Sequence, residues 1–364
     1  MIITDTTPER NMANIFNAID TLKHYISLWG DNKVRRELER VLHIFEMDAF
    51  MVGKKSNFHM KMFNCVLTSG PFVLTEWKLK SVNILLEVQM RKFTVEEPIE
   101  KNRNNDIVVC DLLYSLFYKV MNNDVVKTGA NASQVDGQSS YVELLAKTIQ
   151  LDPYAPYIYL DKSFQTPKKY VKSELDWYKS MDLSIIGHEG IETNPTWQSC
   201  CTKDEKKEIN SNYGWCVFSE ENGSQYDNCL EVLKKDKTTR NAIIVYNRPE
   251  IYKDYKRDGM HDMICTMYSH FFIRNNKLYM VHNMRSNDIR YGFICSDLAW
   301  NCFVYQNMYE DLKSTYPDLE VGTIIWTSDS MHIYDRHYDD LKKFVESRQY
   351  FQNVATNNES GGSF

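Results

Sequence analysis

Four consecutive polar residues, Arg285-Ser286-Asn287-Asp288, lie between two segments that have the composition of a protein core. The apolar run KLYMVHNM precedes them, and the apolar run ICSDLAWNCF follows shortly after. Burying four side chains that form hydrogen bonds is costly unless each of them finds a partner. These residues, the polar tetrad, are therefore either an exposed turn or part of a polar site between core elements.

A hairpin predicted just upstream of the polar tetrad brings a thiol close to a guanidinium group. Two strand-like runs flank Asn275-Asn276, and asparagine tolerates the positive φ of a tight hairpin turn. Pairing continued from Arg274 with Lys277 places Cys265 opposite Ser286 and beside Arg285. A cationic neighbour lowers the pKa of a thiol and raises its thiolate fraction. On these residues alone, a reactive thiol and an ordinary buried strand cysteine both stay open.

The elements around this hairpin mix strand and helix patterns without regular alternation, which favours an α+β fold. Residues 12–52 carry apolar positions at helical spacing, and residues 96–106 are polar, charged and proline-containing, as is typical of a boundary. The final stretch, ATNNESGGSF, is small and polar. We therefore predict a partly helical N-terminal extension over 1–105, a main domain over 106–348 and a polar tail over 349–364.

The composition excludes several classes of function. The chain has 364 residues, of which 43% are hydrophobic and 25% charged, as in ordinary soluble proteins. A net charge of -6 argues against a protein that binds the nucleic-acid backbone directly. No apolar run has the length of a membrane span, and MIITDTTPERNMANIF lacks a signal-peptide core. The scattered cysteines have no metal-type spacing, so we expect reduced thiols, no metal site and a cytoplasmic location.

Further motifs surround the hairpin in a fixed order. Glu174-Leu175-Asp176-Trp177 precedes it, and His332-Ile333-Tyr334 follows it together with His337. Longer segments share that order: ELDWYKS, KEINSNYGW, SEENGSQYD, YNRPEIYKDYKRDGM and NMRSNDIRYGF. Together with Cys265, they resemble the thymidylate synthase family, and within it the branch that hydroxymethylates deoxycytidylate in T-even phages. The resemblance covers roughly residues 107–340 and implies the cytoplasm of a phage-infected bacterium.

The resemblance implies a fold with a large mixed sheet at a homodimer interface, and a reaction at C5 of a pyrimidine nucleotide. In this family a cysteine thiolate adds to C6, which makes C5 nucleophilic towards the methylene group of 5,10-methylenetetrahydrofolate. Cys265 matches that nucleophile. Glu174 matches the carboxylate that moves protons and orders water near the base, although its segment also reads as the solvated face of an amphipathic helix.

The resemblance also assigns residues around the nucleotide. Arg285 and Ser286 match the family's phosphate ligands. Two charge-assisted hydrogen bonds from a guanidinium group to a phosphate dianion would offset the cost of burying that group. Arg240 matches an arginine that reaches the phosphate in the partner subunit's site, which implies a homodimer. Asp288 is then expected to hold the loop and Arg285. The remaining matches are His332 and Tyr334 at the deoxyribose 3'-hydroxyl, and Asn212 and Tyr213 in a loop that lines the pocket.

Several positions depart from the family pattern. Asn241 stands where a second arginine is usual, and the segment VDGQSSYVELL has no basic residue. Ser139, Ser140 and backbone amides are the candidates to replace a phosphate ligand there. His270 stands where synthases carry glutamine. The end of the chain lacks the apolar closure that excludes water before hydride transfer, which favours hydroxymethylation over methylation.

The residue that reads the base lies in the segment GFICSDLAW. Synthases read uracil with an asparagine amide, whereas the amino group and the N3 acceptor of cytosine suit a carboxyl group. Counting from Cys265 places Ser296 at this position, and one extra residue in the loop places Asp297 there. The following Leu-Ala-Trp supports Asp297 and therefore dCMP as substrate.

Three alternatives stay open. The same machinery with a displaced loop predicts a dUMP 5-hydroxymethylase, and a methylating thymidylate synthase is a less favoured reading. Since phosphate arginines are missing, the chain could also be a binding module without catalysis. In that case residues 1–105 would tether it to a nucleotide-synthesis or replication complex.

Overall fold

The computed structural model describes residues 91–127 and 140–359, with side chains up to Arg348. The predicted helices within residues 12–52 and the candidate phosphate ligand Ser139 lie outside the described residues. A compact unit begins at Phe93, thirteen residues before the predicted start of the main domain at 106. Residues 93–105 are therefore part of this unit. The Val95 N–H donates to the Asn307 side chain at 2.9 Å, and the Ile99 N–H donates to the Gln306 side chain at 2.7 Å.

Helices and strands alternate irregularly along the described chain. The α-helices are α1 Asn105–Met121, α2 Lys168–Ser180, α3 Pro195–Cys200, α4 Tyr213–Phe218, α5 Gln225–Lys235, α6 Ile251–Asp254, α7 Leu298–Lys313 and α8 Tyr338–Glu359. The strands are β1 Val126–Lys127, β2 Ser140–Leu151, β3 Ile243–Val245, β4 Thr266–Arg274, β5 Lys277–Met284, β6 Asn287–Asp288 and β7 Glu320–Tyr334. Helix α8 therefore extends into the stretch predicted as a polar tail.

The described strands form one mixed sheet in the order β1-β2-β7-β5-β4-β3, and β6 also pairs with β7. β2 runs antiparallel to β7 and β4 antiparallel to β5, whereas β5 and β6 run parallel to β7. The parallel pairing requires a long crossover, which the segment from Ile289 to Lys313 supplies. This arrangement confirms the predicted α+β class.

Helix α7 is the centre of the core. Almost all of its side chains are buried, including Trp300, Phe303 and Tyr305. A helix that is apolar on all sides is stable only where other elements surround it. The buried amide nitrogen of Gln306 on this helix donates to the carbonyls of Ile99, before α1, and Pro153, after β2.

The β4–β5 hairpin has the predicted turn. Asn275 and Asn276 adopt φ values of 48° and 62°, and Arg274 pairs with Lys277. The register holds as far as Tyr268 and then shifts, so that Thr266 pairs with Met284. A β-bulge of this kind adds one residue to one strand and turns the side chains that follow.

A π-helix, Ile289–Asp297, connects β6 to α7. Its first turn is capped by Asp288, whose carboxylate accepts from the N–H groups of Arg290 and Tyr291. Each turn of a π-helix holds more residues than a turn of an α-helix, and such segments are frequent at functional sites. No helix in the described ranges is long and apolar enough to cross a bilayer.

Gly214 in α4 allows this helix to approach α2 closely. A Cβ at this position would lie 1.6 Å from the Tyr178 carbonyl oxygen. We expect Gly214→Ala to lower the free energy of unfolding by about 3 kcal/mol or more, measured by urea denaturation, because backbone has to move. Gly223→Ala is the control, since no atom lies within 4 Å of its Cβ and only its φ of +84° is strained. Equal losses in both variants would contradict the close approach.

Candidate active site

Cys265 and Arg285 meet where β4 begins and β5 ends. The Arg285 N–H donates to the Cys265 carbonyl at 2.9 Å, and the Arg285 Nη2 lies 3.7 Å from the Cys265 Sγ. The predicted proximity is therefore present. The predicted pairing of Cys265 with Ser286 is wrong by one residue, because the bulge near Thr266 shifts the register.

The predicted lowering of the Cys265 pKa is also wrong as a net effect. Burial is the largest effect on this thiol, and although the Arg285 charge opposes it, the net pKa is raised to about 11. The carboxyl groups of Asp297 and Asp262 raise it further. Although the side chain keeps part of its surface accessible, the protonated thiol is the stable form at neutral pH in this structure.

Arg285 is held by the segment that carries the thiol. Its Nε donates to the Ile264 carbonyl at 3.0 Å, and its Nη2 to the Met263 carbonyl at 2.7 Å. Its charge also lowers the pKa of buried Asp262, which burial raises. The guanidinium group is thereby fixed beside the thiol, and both it and Ser286 keep part of their surface exposed.

Asp262 fixes the loop that enters α4. Its Oδ2 accepts from the N–H groups of Asn210 and Ser211, and its Oδ1 accepts from the Ser211 hydroxyl at 2.7 Å. Asp262 was not among the residues selected from the sequence, although it lies three positions before Cys265. An acidic residue next to a candidate thiol is a signal that could have identified it.

Glu174 on α2 is buried rather than solvated, which excludes its reading as a surface acid. Its Oε1 accepts from the Tyr178 hydroxyl at 2.6 Å and from the Ser296 hydroxyl at 2.7 Å. Burial raises the pKa of Glu174, and hydrogen bonds from Tyr178, Ser296 and Tyr170 oppose that rise. Tyr178 was overlooked in the sequence, although its i+4 spacing from Glu174 places both on one helix face.

The two candidates for reading the base, Ser296 and Asp297, have different partners. Ser296 donates to Glu174, whereas the Asp297 Oδ2 accepts from the Asn287 side chain at 2.8 Å. Burial raises the pKa of Asp297 to about 7, and the Glu174 charge raises it further in the same direction. Asp297 is therefore a carboxyl group that titrates near neutrality, and Asn287 is a second residue that was not selected from the sequence.

Asn212 and Tyr213 occupy different environments. The Asn212 side chain caps α4 and donates to the carbonyls of Trp177 and Asp182, so its polar atoms are used inside the protein. Tyr213 lies within the field of Asp297 and Cys265, since both raise the pKa of its buried hydroxyl after burial itself. The structure therefore groups Tyr213 with the thiol and assigns Asn212 to holding the loop.

The end of β7 carries His332 and Tyr334. His332 is buried opposite Asp288 of β6, and its ring lies 5.1 Å from the Tyr334 ring. Asp288 holds the loop, as predicted, but its ion-pair partner is Arg336 at 3.9 Å rather than Arg285. Ser140 donates from its N–H and its hydroxyl to Asp335, so a described hydrogen bond already occupies this candidate phosphate ligand.

Arg240 lies apart from this cluster. Its carbonyl accepts from His270 Nε2 at 3.0 Å, so the residue is next to β4 five positions beyond Cys265. At about 3.3 Å per residue, this spacing separates it from the thiol by roughly 16 Å along the strand. His270 itself packs on Phe272, with ring centroids 4.0 Å apart.

The assembled residues, the acidic thiol site, combine one thiol, one fixed guanidinium group and buried carboxyl groups. The residues are Cys265, Arg285, Glu174, Asp297, Asn287 and Tyr213. A thiol can add to an electron-poor carbon, and buried carboxyl groups with raised pKa values can exchange protons near neutral pH. Within the described ranges, no group of three or more His, Cys, Asp or Glu residues is placed to hold a metal ion.

Arg285 should control the reactivity of Cys265. We expect Arg285→Ala to raise the pKa of this thiol further, because the charge that lowers it is removed. Alkylation of Cys265 by iodoacetamide at pH 9, followed by peptide mass mapping, should slow by about tenfold, the effect of one pKa unit. Arg257→Ala removes a surface arginine paired with Glu208 and should leave the rate unchanged. An unchanged rate in Arg285→Ala would show that burial alone sets the pKa.

Comparisons with known proteins identify relatives of this chain. The family model described as thymidylate synthase matches residues 117–359. The deoxycytidylate 5-hydroxymethyltransferases of Enterobacteria phages T6 and T4 are 42% and 41% identical over 172 residues, which cover 47% of this chain and 68% of each relative. A thymidylate synthase of Fusobacterium nucleatum is 27% identical over 223 residues, 60% of this chain and 75% of the relative.

Among solved structures, thermostable thymidylate synthase A from Bacillus subtilis aligns with a TM-score of 0.46 and 20% identity. That alignment covers 65% of this chain and 84% of the other. The family model alone spans well over half of the sequence. The chain belongs to the thymidylate synthase family.

Proposed function

We propose that this protein is a deoxycytidylate 5-hydroxymethyltransferase, which converts dCMP to 5-hydroxymethyl-dCMP. The observation that carries the proposal is the buried Asp297 carboxyl group, with its pKa of about 7, in one site with Cys265 and Glu174. The phage T6 and T4 relatives bear the name of this activity. In this proposal Cys265, Glu174 and Asp297 have separate roles.

The Asp297 carboxyl group matches the hydrogen-bonding edge of cytosine. Neutral cytosine presents an acceptor at N3 and a donor at its amino group. A protonated carboxyl group donates from one oxygen and accepts at the other, so it satisfies both positions. Uracil presents a donor at N3, which would face the O–H of the acid. Raised pKa values of this kind are the usual means of keeping a carboxyl group protonated near pH 7.

Cys265 forms the covalent bond in this proposal. After losing its proton, its sulfur bonds to C6, and the electron pair of the C5–C6 double bond becomes available at C5. The pKa of about 11 already includes the lowering by the fixed Arg285 charge, so this charge reduces the cost of forming the thiolate from the protonated thiol. When the product leaves, the sulfur–C6 bond breaks and the double bond re-forms.

Glu174 is proposed to move protons and to order water beside the base. Two hydroxyl donors, from Tyr178 and Ser296, orient its carboxyl group, and burial keeps its pKa raised. A carboxyl group whose pKa is raised holds a proton more readily, as a group that accepts and returns protons requires. Its Ser296 contact also links it to the residue next to the base reader.

Arg285 and Ser286 are proposed to bind the phosphate, and His332 and Tyr334 the deoxyribose 3'-hydroxyl. These four residues lie at adjoining strand ends, since β6, which follows Ser286, pairs with β7 at His332. Arg285 Nη1 donates to none of the described residues, whereas Nε and Nη2 are used within the protein. The two N–H groups of Nη1 and the positive charge therefore serve the phosphate.

The one-carbon donor is proposed to be 5,10-methylenetetrahydrofolate, and the chain offers residues that fit it. The Tyr291 ring is 57% exposed on the first turn of the π-helix that ends at Asp297. The guanidinium groups of Arg336 and Arg290 lie 5.3 and 5.9 Å from its centroid. An aromatic face suits the aminobenzoyl ring of a folate, and the neighbouring guanidinium groups suit the carboxylates of the glutamate attached to that ring. When bound, the folate supplies the one-carbon unit, and water supplies the hydroxyl.

Product analysis by mass spectrometry tests this function. Purified protein is incubated with 5,10-methylenetetrahydrofolate and either dCMP or dUMP, in ordinary and oxygen-18-enriched water. We expect a hydroxymethyl product from dCMP that carries the heavy oxygen, and none from Cys265→Ala. A hydroxymethyl product from dUMP alone would overturn the choice of base, and a methyl product would overturn the choice of reaction. Bound nucleotide without turnover would favour a binding module.

Asp297→Asn should shift the preference from dCMP towards dUMP. An amide can accept from the N3–H of uracil and donate to O4, whereas the carboxyl group is proposed to point its O–H at N3, where uracil carries a donor. We expect the ratio of kcat/KM for dCMP over dUMP to fall by at least about 100-fold, as for a buried polar mismatch. Ser296→Ala is the matched control, because it removes the neighbouring candidate. A larger change in that variant would move the base-reading role to Ser296.

Arg240 is proposed to act in the partner subunit's site. Its distance from Cys265 along β4 leaves it outside its own acidic thiol site. Arg240→Ala should weaken dCMP binding by about tenfold, the typical effect of one charged hydrogen bond. Mixing this variant with Cys265→Ala, under conditions where dimers exchange subunits, should restore about a quarter of the activity. Exchange without recovery would place Arg240 in its own site.

A further inference from the structure

The buried side chain of Asn287 connects the base reader to the centre of the sheet. It is 1% exposed, its amide nitrogen donates to the Asp297 Oδ2 at 2.8 Å, and its Oδ1 accepts from the Ser328 hydroxyl at 3.3 Å. The Ser328 oxygen in turn accepts from the Trp326 Nε1 at 3.1 Å. The four residues form a continuous chain of hydrogen bonds, from here on the Trp326–Asp297 relay.

The direction of the Trp326–Asp297 relay is fixed by its first member. An indole N–H can only donate, so the Ser328 oxygen must accept from it. The Ser328 hydroxyl hydrogen is then free to donate to the amide oxygen of Asn287, which turns the amide nitrogen towards Asp297. One oxygen of the Asp297 carboxyl group, Oδ2, is thereby held as an acceptor.

Gly292 makes room for this contact inside the π-helix. A Cβ at Gly292 would lie 2.7 Å from the Asp297 Oδ2 and 3.2 Å from the Asn287 Nδ2. Both distances are shorter than ordinary contacts, so a larger residue would push the two groups apart. The absence of a side chain at this position therefore leaves the space in which the amide and the carboxyl group meet.

We propose that Asn287 is a positioning residue that sets base specificity by dictating which oxygen of Asp297 carries the proton. The proposal rests on the function proposed above. Because Oδ2 accepts from Asn287, the proton resides on Oδ1, which then donates to N3 of cytosine. Oδ2 retains a second lone pair for the amino group of cytosine. A carboxyl group without this restraint could rotate or exchange its proton between oxygens, and the discrimination against uracil would fall.

The negative charges of Glu174 and Asp288 raise the pKa of Asp297, whereas the hydrogen bond from Asn287 lowers it. Four other titratable side chains interact electrostatically with Asp297, and each is uncharged when protonated: Tyr178, Tyr213, Cys265 and Cys295. Removal of Asn287 should therefore raise the pKa of Asp297 while it loosens the carboxyl group.

These two effects can be separated by experiment. The variants are Asn287→Ala and the control Asn301→Ala, which removes an equally buried asparagine that donates to the backbone carbonyl of Asp297 at 2.9 Å. Kd values for dCMP and dUMP are measured by calorimetry from pH 6 to 9, and kcat/KM values by product formation. Ser328→Ala, which interrupts the relay one step earlier, provides a second test should Asn287→Ala not fold.

We expect Asn287→Ala to lower the preference for dCMP over dUMP by about tenfold, and Ser328→Ala to lower it by a smaller factor. Binding of dCMP requires protonated Asp297, so it is present below the pKa of this group and is lost as the pH rises through it. Since the pKa rises without Asn287, this loss should occur at higher pH in Asn287→Ala. Asn301→Ala should change neither the preference nor the pH of the transition.

Two results would overturn the role of Asn287. One is an unchanged preference in both Asn287→Ala and Ser328→Ala, and the other is an equal fall in Asn301→Ala, which would indicate a merely structural effect. Failure of the proposed function is detected separately, because it is read from product formation by the unaltered protein. The preference in nucleotide affinity reports on Asn287 whether or not turnover occurs.

Discussion

The hydrogen bond from the Arg285 N–H to the Cys265 carbonyl is the constraint on which the acidic thiol site depends. It lies just beyond the bulge in the β4–β5 hairpin, where the strand register has already shifted. The same two residues carry the guanidinium group and the thiol, so one backbone contact sets their separation. From there the chain turns immediately into β6, and its pairing with β7 places Asn287 and His332 at neighbouring strand ends. The proposed nucleophile and the proposed sugar ligand His332 are thus brought to neighbouring strand ends by the bulge and by the pairing of β6 with β7.

A second constraint is the excess of buried acidic groups over buried cations. Glu174, Asp262 and Asp297 are all buried, and Arg285 is the cation that acts on Asp262 and on the thiol. Each carboxyl group is held by neutral hydrogen-bond donors rather than by a full ion pair, as with the hydroxyl groups on Glu174. Such donors orient a carboxyl group without fixing it in its charged form, which leaves its pKa raised by burial. Burying these acidic groups carries an electrostatic cost that is absent from an apolar core, and such a cost is common where proton transfer is required.

The sequence predicted those features that depend on local pattern. The asparagine turn, the proximity of Cys265 to Arg285 and the α+β class all follow from short-range composition, and the structure confirms them. The pairing of Cys265 with Ser286 was wrong because a bulge leaves no sequence signal in an apolar strand. The predicted direction of the shift in the Cys265 pKa was wrong because a neighbouring charge is visible in a sequence, whereas the extent of burial is a property of the fold. No separate role was predicted for Asn287 of the polar tetrad for a related reason, since its partners are brought to it by β7 and the π-helix.

The π-helix joins the proposed proton-moving group to the proposed base reader. Ser296 and Asp297 are adjacent in sequence, yet one donates to Glu174 on α2 and the other accepts from Asn287 on β6. The single peptide between them therefore links two carboxyl groups, and the charge of Glu174 raises the pKa of Asp297. Two acids coupled in this way titrate as a pair, so the ionisation of one disfavours the ionisation of the other. Protonation of Asp297, the proposed base reader, is therefore favoured when Glu174 is ionised.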